Sequence, residues 1–150
     1  MGMNGSNVLS RQGQRLLQLG VALFLFTSFE GFVVPYFAAP NLGRSVHTLC
    51  AFLGVLFVAL GLMWPKLELS EGMSRAAFWL LIYSGLVTVA GFLLGALWGA
   101  GNSIFPLAAG AAHGKEWQET VIMVVMYTGA PTGIAAFALM LWGLRLTTKA

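Results

Sequence analysis

Charge is scarce in this chain. Only 9% of its 150 residues are Asp, Glu, Lys or Arg, where a soluble domain carries roughly a quarter. So few charges cannot cover a water-exposed surface, which excludes an ordinary soluble globule. Cysteine is nearly absent: Cys50 stands alone, so the chain has no internal disulfide framework. With one cysteine and two histidines, a structural zinc site is not expected. No basic patch with interleaved aromatics occurs, so the net charge of +3 does not point to nucleic acid. Sustained alternation of polar and apolar residues is missing too, which argues against a membrane β-barrel. No inverted repeat relates the two halves, as it does in many transporters.

What the chain does have is long apolar runs: Leu16 to about Val34, Val46 to Trp64, Ala76 to Trp98, and Thr120 to Leu144. Each approaches or exceeds the ~20 residues that carry a helix across ~30 Å of hydrocarbon. Helix is favoured because a bilayer holds no water to satisfy backbone groups. The expected fold is an all-α integral membrane protein, a four-transmembrane-helix bundle. It forms a single domain over residues 1–150, with helices at roughly 14–35, 46–64, 75–98 and 118–144. The first run is read as a retained helix and not a signal peptide. It contains Glu30, and no small-residue cleavage site clearly follows an apolar core. With four spans, Arg11, Arg15, Lys66, Arg75, Arg145 and Lys149 share one side, and Arg44 and Lys115 the other. That bias puts both termini in the cytoplasm, in a bacterial inner membrane.

Glycine spacing speaks of helix packing. Gly91 with Gly95, and Gly129 with Gly133, form faces of small residues that let backbones approach. Gly54 and Gly61 lie two turns apart and suit the same role. Pro131 removes a backbone hydrogen bond and should kink the fourth helix. Ser84, Thr88, Thr128 and Thr132 are placed to bond across helices or back to their own backbone. Four spans alone make a thin bundle, so a homo-oligomer is expected.

Polar residues in or beside the spans point to a site, because an ionisable group in a membrane is costly. Glu30 falls in the outer half of the first helix, His47 near the outer start of the second, and Glu119 at the outer start of the fourth. Asn102 and Trp117 lie in the adjoining loop, 99–118. All five belong to one membrane face. Other roles are open: Glu119 as a carboxylate at a helix start, Trp117 as an interfacial anchor, Asn102 as a turn residue, His47 as a structural hydrogen-bond donor. Glu30, set among Phe29, Gly31, Phe32 and Val33, needs a partner in Arg44 or His47, or a raised pKa. A single histidine also suits a cofactor that needs only one protein ligand, such as haem.

Several motifs carry a resemblance. Gly31-Phe-Val-Val-Pro35 followed by Pro40-Asn-Leu-Gly-Arg-Ser-Val-His47 resembles the first-loop pattern of hydroxylaminobenzene mutases. So does Leu60-Gly-Leu-Met-Trp-Pro-Lys-Leu-Glu-Leu-Ser70. Further matches are Phe78-Trp-Leu with Tyr83, Leu97-Trp-Gly-Ala-Gly101, Pro106-Leu-Ala-Ala-Gly110, Trp117-Gln-Glu119 and Leu141-Trp-Gly-Leu-Arg145. The resemblance covers roughly residues 14–146 and rests on the order and spacing of these pieces. It implies an isomerase that moves a hydroxyl group from the nitrogen of an aromatic hydroxylamine to the ring, giving an aminophenol. That family is similar in turn to membrane styrene oxide isomerases. The similarity implies a trimer with haem b at subunit interfaces, held by a histidine on the second helix. His47 occupies the matching position, as axial ligand of the haem iron.

The chain also departs from the epoxide isomerases. Leu53 stands where they carry an asparagine, and Leu93 where they carry a substrate-facing tyrosine. These losses are expected to leave a wider apolar pocket. On this reading ferric haem on His47 acts as a Lewis acid, and Arg44 binds a haem propionate. Glu30 or Glu119, with Asn102 nearby, stabilises developing positive charge or moves a proton. Two alternatives stay open: an epoxide isomerase of the same architecture, and a non-enzymatic small membrane subunit for assembly or transport.

Overall fold

A computed structural model describes residues 3–145. Four long helices dominate: α1 (Met3–Glu30), α2 (Pro40–Met63), α3 (Glu71–Trp98) and α5 (Glu116–Gly143). A single turn, α4 (Pro106–Ala109), lies between the last two. Short 3-10 turns at Val34–Tyr36 and Trp64–Lys66 join α1 to α2 and α2 to α3. No strand occurs among the described residues.

The helix ends follow local chemistry. The first helix, expected to reach residue 35, stops at Glu30. Gly31 follows, and Pro35 opens the next 3-10 turn. The second helix, expected from residue 46, already begins at Pro40. Proline suits a first helical turn, where its missing N–H is no loss and its φ is already helical. Two turns expected to be loop are therefore helix. Ser70 caps α3 by accepting from the Met73 N–H, with Glu71 favourably placed in the first turn. Gly99, at φ 62°, ends that helix in the left-handed conformation.

Close packing gathers the helices in pairs. α1 lies along α2 and α3 along α5; α2 against α3 joins the pairs, and α1 touches α3 lightly. The α1–α2 contact depends on facing glycines. A Cβ on Gly61 would sit 2.8 Å from the Gly13 carbonyl oxygen, and one on Gly20 would sit 2.8 Å from that of Gly54. Only hydrogen fits there, so backbone meets backbone. Between α3 and α5, Ser84 Oγ donates across to the Gly129 carbonyl at 2.8 Å. Thr88, Thr128 and Thr132 bond back within their own helices. α5 runs unbroken through Pro131, and Thr132 and Ser84 supply hydroxyl donors to the carbonyls beside it.

The apolar core runs between the helices through Leu16, Phe57, Trp64 and Phe78. At the end opposite His47 it closes on a buried polar knot. Gln12 Oε1 accepts from Trp64 Nε1 at 3.0 Å and from Ser74 Oγ at 2.5 Å, tying α1, the α2–α3 turn and α3 together.

Residues Pro40–Lys66, α3 and α5 are each long and apolar enough to cross a membrane. α1 is as long as α3, but its apolar stretch is confined to residues 16–29, between Arg15 and Glu30. Large apolar side chains such as Phe29, Phe52, Ile134 and Leu141 face outward. Soluble monomers rarely expose apolar surface on this scale, and a lipid bilayer is consistent with it.

Candidate active site

The early start of α2 matters for the site. It places Arg44 and His47 on one helical face, one turn apart. α1 ends opposite, so its last residue, Glu30, meets His47. Glu30 Oε2 lies 3.2 Å from His47 Nδ1. Of the two partners expected for Glu30, the structure selects the histidine. The pair is lopsided: the Glu30 side chain is 3% exposed and the His47 side chain 44%. The carboxylate therefore sits inside the α1–α2 interface while the imidazole looks out.

Gly31 lets the ring approach the end of α1 closely. A Cβ there would fall 3.2 Å from His47 Cε1 and 3.3 Å from Nδ1. In front of the ring is a groove of about 530 Å³, lined by Val34, Pro35, Pro40, Arg44 and Thr48 besides Gly31 and His47. A second hollow of about 470 Å³ adjoins it through Arg44 and Thr48 and reaches Phe52. Behind the ring, Glu30 Oε1 and Thr27 Oγ1 are buried with no hydrogen-bond partner among the described residues. Buried polar atoms are nearly always paired, and leaving one unpaired costs about 1–3 kcal/mol. Glu30, which carries one of these atoms, is the partner of the only histidine among the four long helices. Thr27 was not among the expected site residues. Its spacing of three from Glu30 within an apolar run is the sequence signal for it.

The other expected residues form a separate group. Glu119 Oε1 accepts from the backbone N–H groups of Gly101, Asn102 and Gly114 at 2.9, 3.4 and 3.2 Å, and Oε2 accepts from Ser103 at 3.1 Å. This carboxylate gathers the long loop around itself, beyond any interaction with its own helix start. Asn102 belongs to the same knot and donates from Nδ2 to the Gly110 carbonyl at 2.9 Å. Neither residue lines the groove at His47. Trp117 is exposed and packs edge-on against Trp98, with ring centroids 5.1 Å apart. Leu53 and Leu93 belong to the apolar core and do not line the groove. The groove thus owes its shape to the α1–α2 turn and α2, and not to those two positions.

The groove contains one imidazole whose Nδ1 faces Glu30, one guanidinium, one hydroxyl and apolar walls. Such a set can bind a flat, mostly apolar molecule and present a single nitrogen donor to it. Comparison with known proteins places this all-helical architecture. The family model for styrene oxide isomerase matches residues 12–145, and the chain belongs to that family and is an isomerase. Among curated relatives it is similar to hydroxylaminobenzene mutase HabB of Ectopseudomonas oleovorans, with 41% identity over 88% of this chain and 80% of the relative. It is also similar to hydroxylaminobenzene mutase HabA of the same organism, with 36% identity over 86% and 96% respectively. No solved structure gives a significant match.

Proposed function

We propose that this chain is a membrane isomerase that rearranges arylhydroxylamines of the hydroxylaminobenzene type to 2-aminophenols. The observation that carries the reading is the 41% identity to a hydroxylaminobenzene mutase across most of both chains. The groove at His47 supports it. The reaction balances within one molecule. The N–O bond breaks, a C–O bond forms at the ortho carbon, the proton lost from that carbon is made up at nitrogen, and no net oxidation occurs.

Haem b, which the resemblance implies, can be tested against the donor set. Among the described residues, no three His, Cys, Asp or Glu side chains gather to hold a metal ion. His47 would be the one protein donor to a group such as haem, which needs only a single protein ligand. Its Nε2 is free because Nδ1 faces Glu30, the arrangement by which a buried carboxylate orients a metal-binding histidine. Arg44, one turn away on the same groove, matches a propionate. These residues fit the group, and bound there it would supply a Lewis acid for the hydroxylamino oxygen.

The chain's own groups do the rest. Glu30 Oε2 holds the proton of His47 Nδ1 and fixes the tautomer. A carboxylate there would stabilise the positive character that the ring of the substrate acquires as the N–O bond weakens. Val34, Pro35 and Pro40 offer that ring apolar walls. Glu119 and Asn102 act from a distance, by fixing the loop beside the groove-bearing end. Four spans with both termini cytoplasmic, in a bacterial inner membrane, complete the reading, and a trimer covers the outward-facing groove.

The family description itself names styrene oxide, which keeps an epoxide isomerase as the second reading. Offering hydroxylaminobenzene and styrene oxide side by side to the purified protein separates them. The expected product is 2-aminophenol, with styrene oxide left unchanged. Phenylacetaldehyde as the sole product would reverse the assignment, and turnover of neither would leave the non-enzymatic alternative.

A further inference from the structure

The end of the molecule opposite His47 carries a different kind of cavity. Between α1 and α3 lies a hollow of about 330 Å³ whose mouth holds Arg11, Arg15 and Arg75. It passes into a second hollow of about 500 Å³ walled by Leu19, Ala22, Ile82 and Leu86. The two share Arg15, Phe78 and Trp79, so they form one trough, cationic at the mouth and apolar along its length. From Arg15 to Glu30 the rise of α1 is about 22 Å, so the trough mouth is remote from the groove at His47.

The mouth keeps its charge. Arg75 pairs with Glu71, and Arg11 and Arg15 add two further guanidinium groups against that single carboxylate. Guanidinium groups present planar forks that suit phosphate oxygens. Trp79, exposed at the junction, has the amphipathic ring found at headgroup depth. Below it the walls are mostly hydrocarbon, from Leu19, Ala22, Ile82 and Leu86, with Gln18 beside them. A soluble phosphate would use the mouth and leave the walls bare, whereas a lipid uses both. Basic pockets between spans on the cytoplasmic side take anionic headgroups.

We propose that the trough between α1 and α3 binds an anionic diacyl phospholipid. Its phosphate lies among the arginines at the mouth, and one acyl chain lies along the apolar walls. The lipid bridges the helix pairs where α1 and α3 barely touch. This goes beyond the isomerase reading and is independent of the substrate.

The test is native mass spectrometry of the full chain, released from detergent micelles doped with equal phosphatidylglycerol and phosphatidylcholine. Wild type is expected to retain phosphatidylglycerol about tenfold over phosphatidylcholine, since each basic side chain near the surface adds to the attraction. The double variant Arg11→Gln/Arg15→Gln should bring the ratio near one. Ala22→Trp, which fills the trough but keeps the arginines, should lose both lipids, and it decides the matter if the double variant does not fold. Excess inorganic phosphate should leave the lipid in place. Equal retention of the two lipids in wild type, a preference that survives the double variant, or displacement by phosphate alone would each overturn the proposal. So would cross-linking of two copies through Ala22→Cys, which would put a second chain in the trough.

Discussion

With Nδ1 3.2 Å from a buried carboxylate, the His47 ring has only Nε2 left for a ligand. The hydrogen bond that orients it comes from a residue almost without solvent contact. Partners of this kind, acting behind a metal ligand, typically contribute 10–100-fold in affinity or activity. Glu30→Gln is therefore expected to lower haem retention and turnover by about that factor, without loss of fold. The absorption spectrum reads the same pair: purified wild type should show a Soret band that His47→Ala removes. A colourless wild type that still isomerises substrate would remove haem from the scheme. The residues of this pair were legible in the sequence because they are costly in a membrane. Which cation Glu30 meets was not, since Arg44 and His47 share one helical face and only the end point of α1 decides between them. The bonding of Glu119 was equally hidden. Four backbone donors brought together by a loop leave no mark on side-chain chemistry.

At the scale of elements, apolar runs announced the long helices, because hydropathy is a property of composition that needs no partner. The starts were harder to read. Hydropathy rises at Val46, but proline fixes the beginning of α2 at Pro40. That shift carries Arg44 into the helix and so into register with His47. The glycines of α2 were legible as a packing face, whereas their partners Gly13 and Gly20 on α1 became evident only when the helices were paired. A side chain at Gly61 would push against the Gly13 carbonyl, so Gly61→Val should separate α1 from α2. Overpacking of this kind costs about 1–3 kcal/mol. Thermal unfolding in detergent should show a clearly lowered midpoint. Gly72→Ala, where nothing lies within 4 Å of the new Cβ, serves as the control and should change stability by no more than about 1 kcal/mol. Equal effects at the two sites would contradict the close α1–α2 contact.

For the molecule as a whole, the candidate groove lies on the outside of a single chain. His47 is half exposed, and much of the apolar surface of α5 faces outward. A site that must exclude water needs either lipid or another subunit against it. The trimer proposed above meets that need. Mass measurement of the protein in detergent should give one species of three chains, and a stable, active monomer would rule out a groove completed by a neighbour. Family membership and isomerase chemistry rest on similarity along nearly the whole chain, while the assignment of the reaction to one end of the molecule rests on the pair formed by α1 and α2. The most direct measurement of that assignment is the rate of 2-aminophenol formation from hydroxylaminobenzene by wild type and His47→Ala, compared at equal amounts of folded protein. The expected result is steady product from wild type and a loss of at least about a hundredfold in the variant, the scale on which removal of a principal catalytic group acts. Undiminished product from His47→Ala would place the chemistry elsewhere in the molecule.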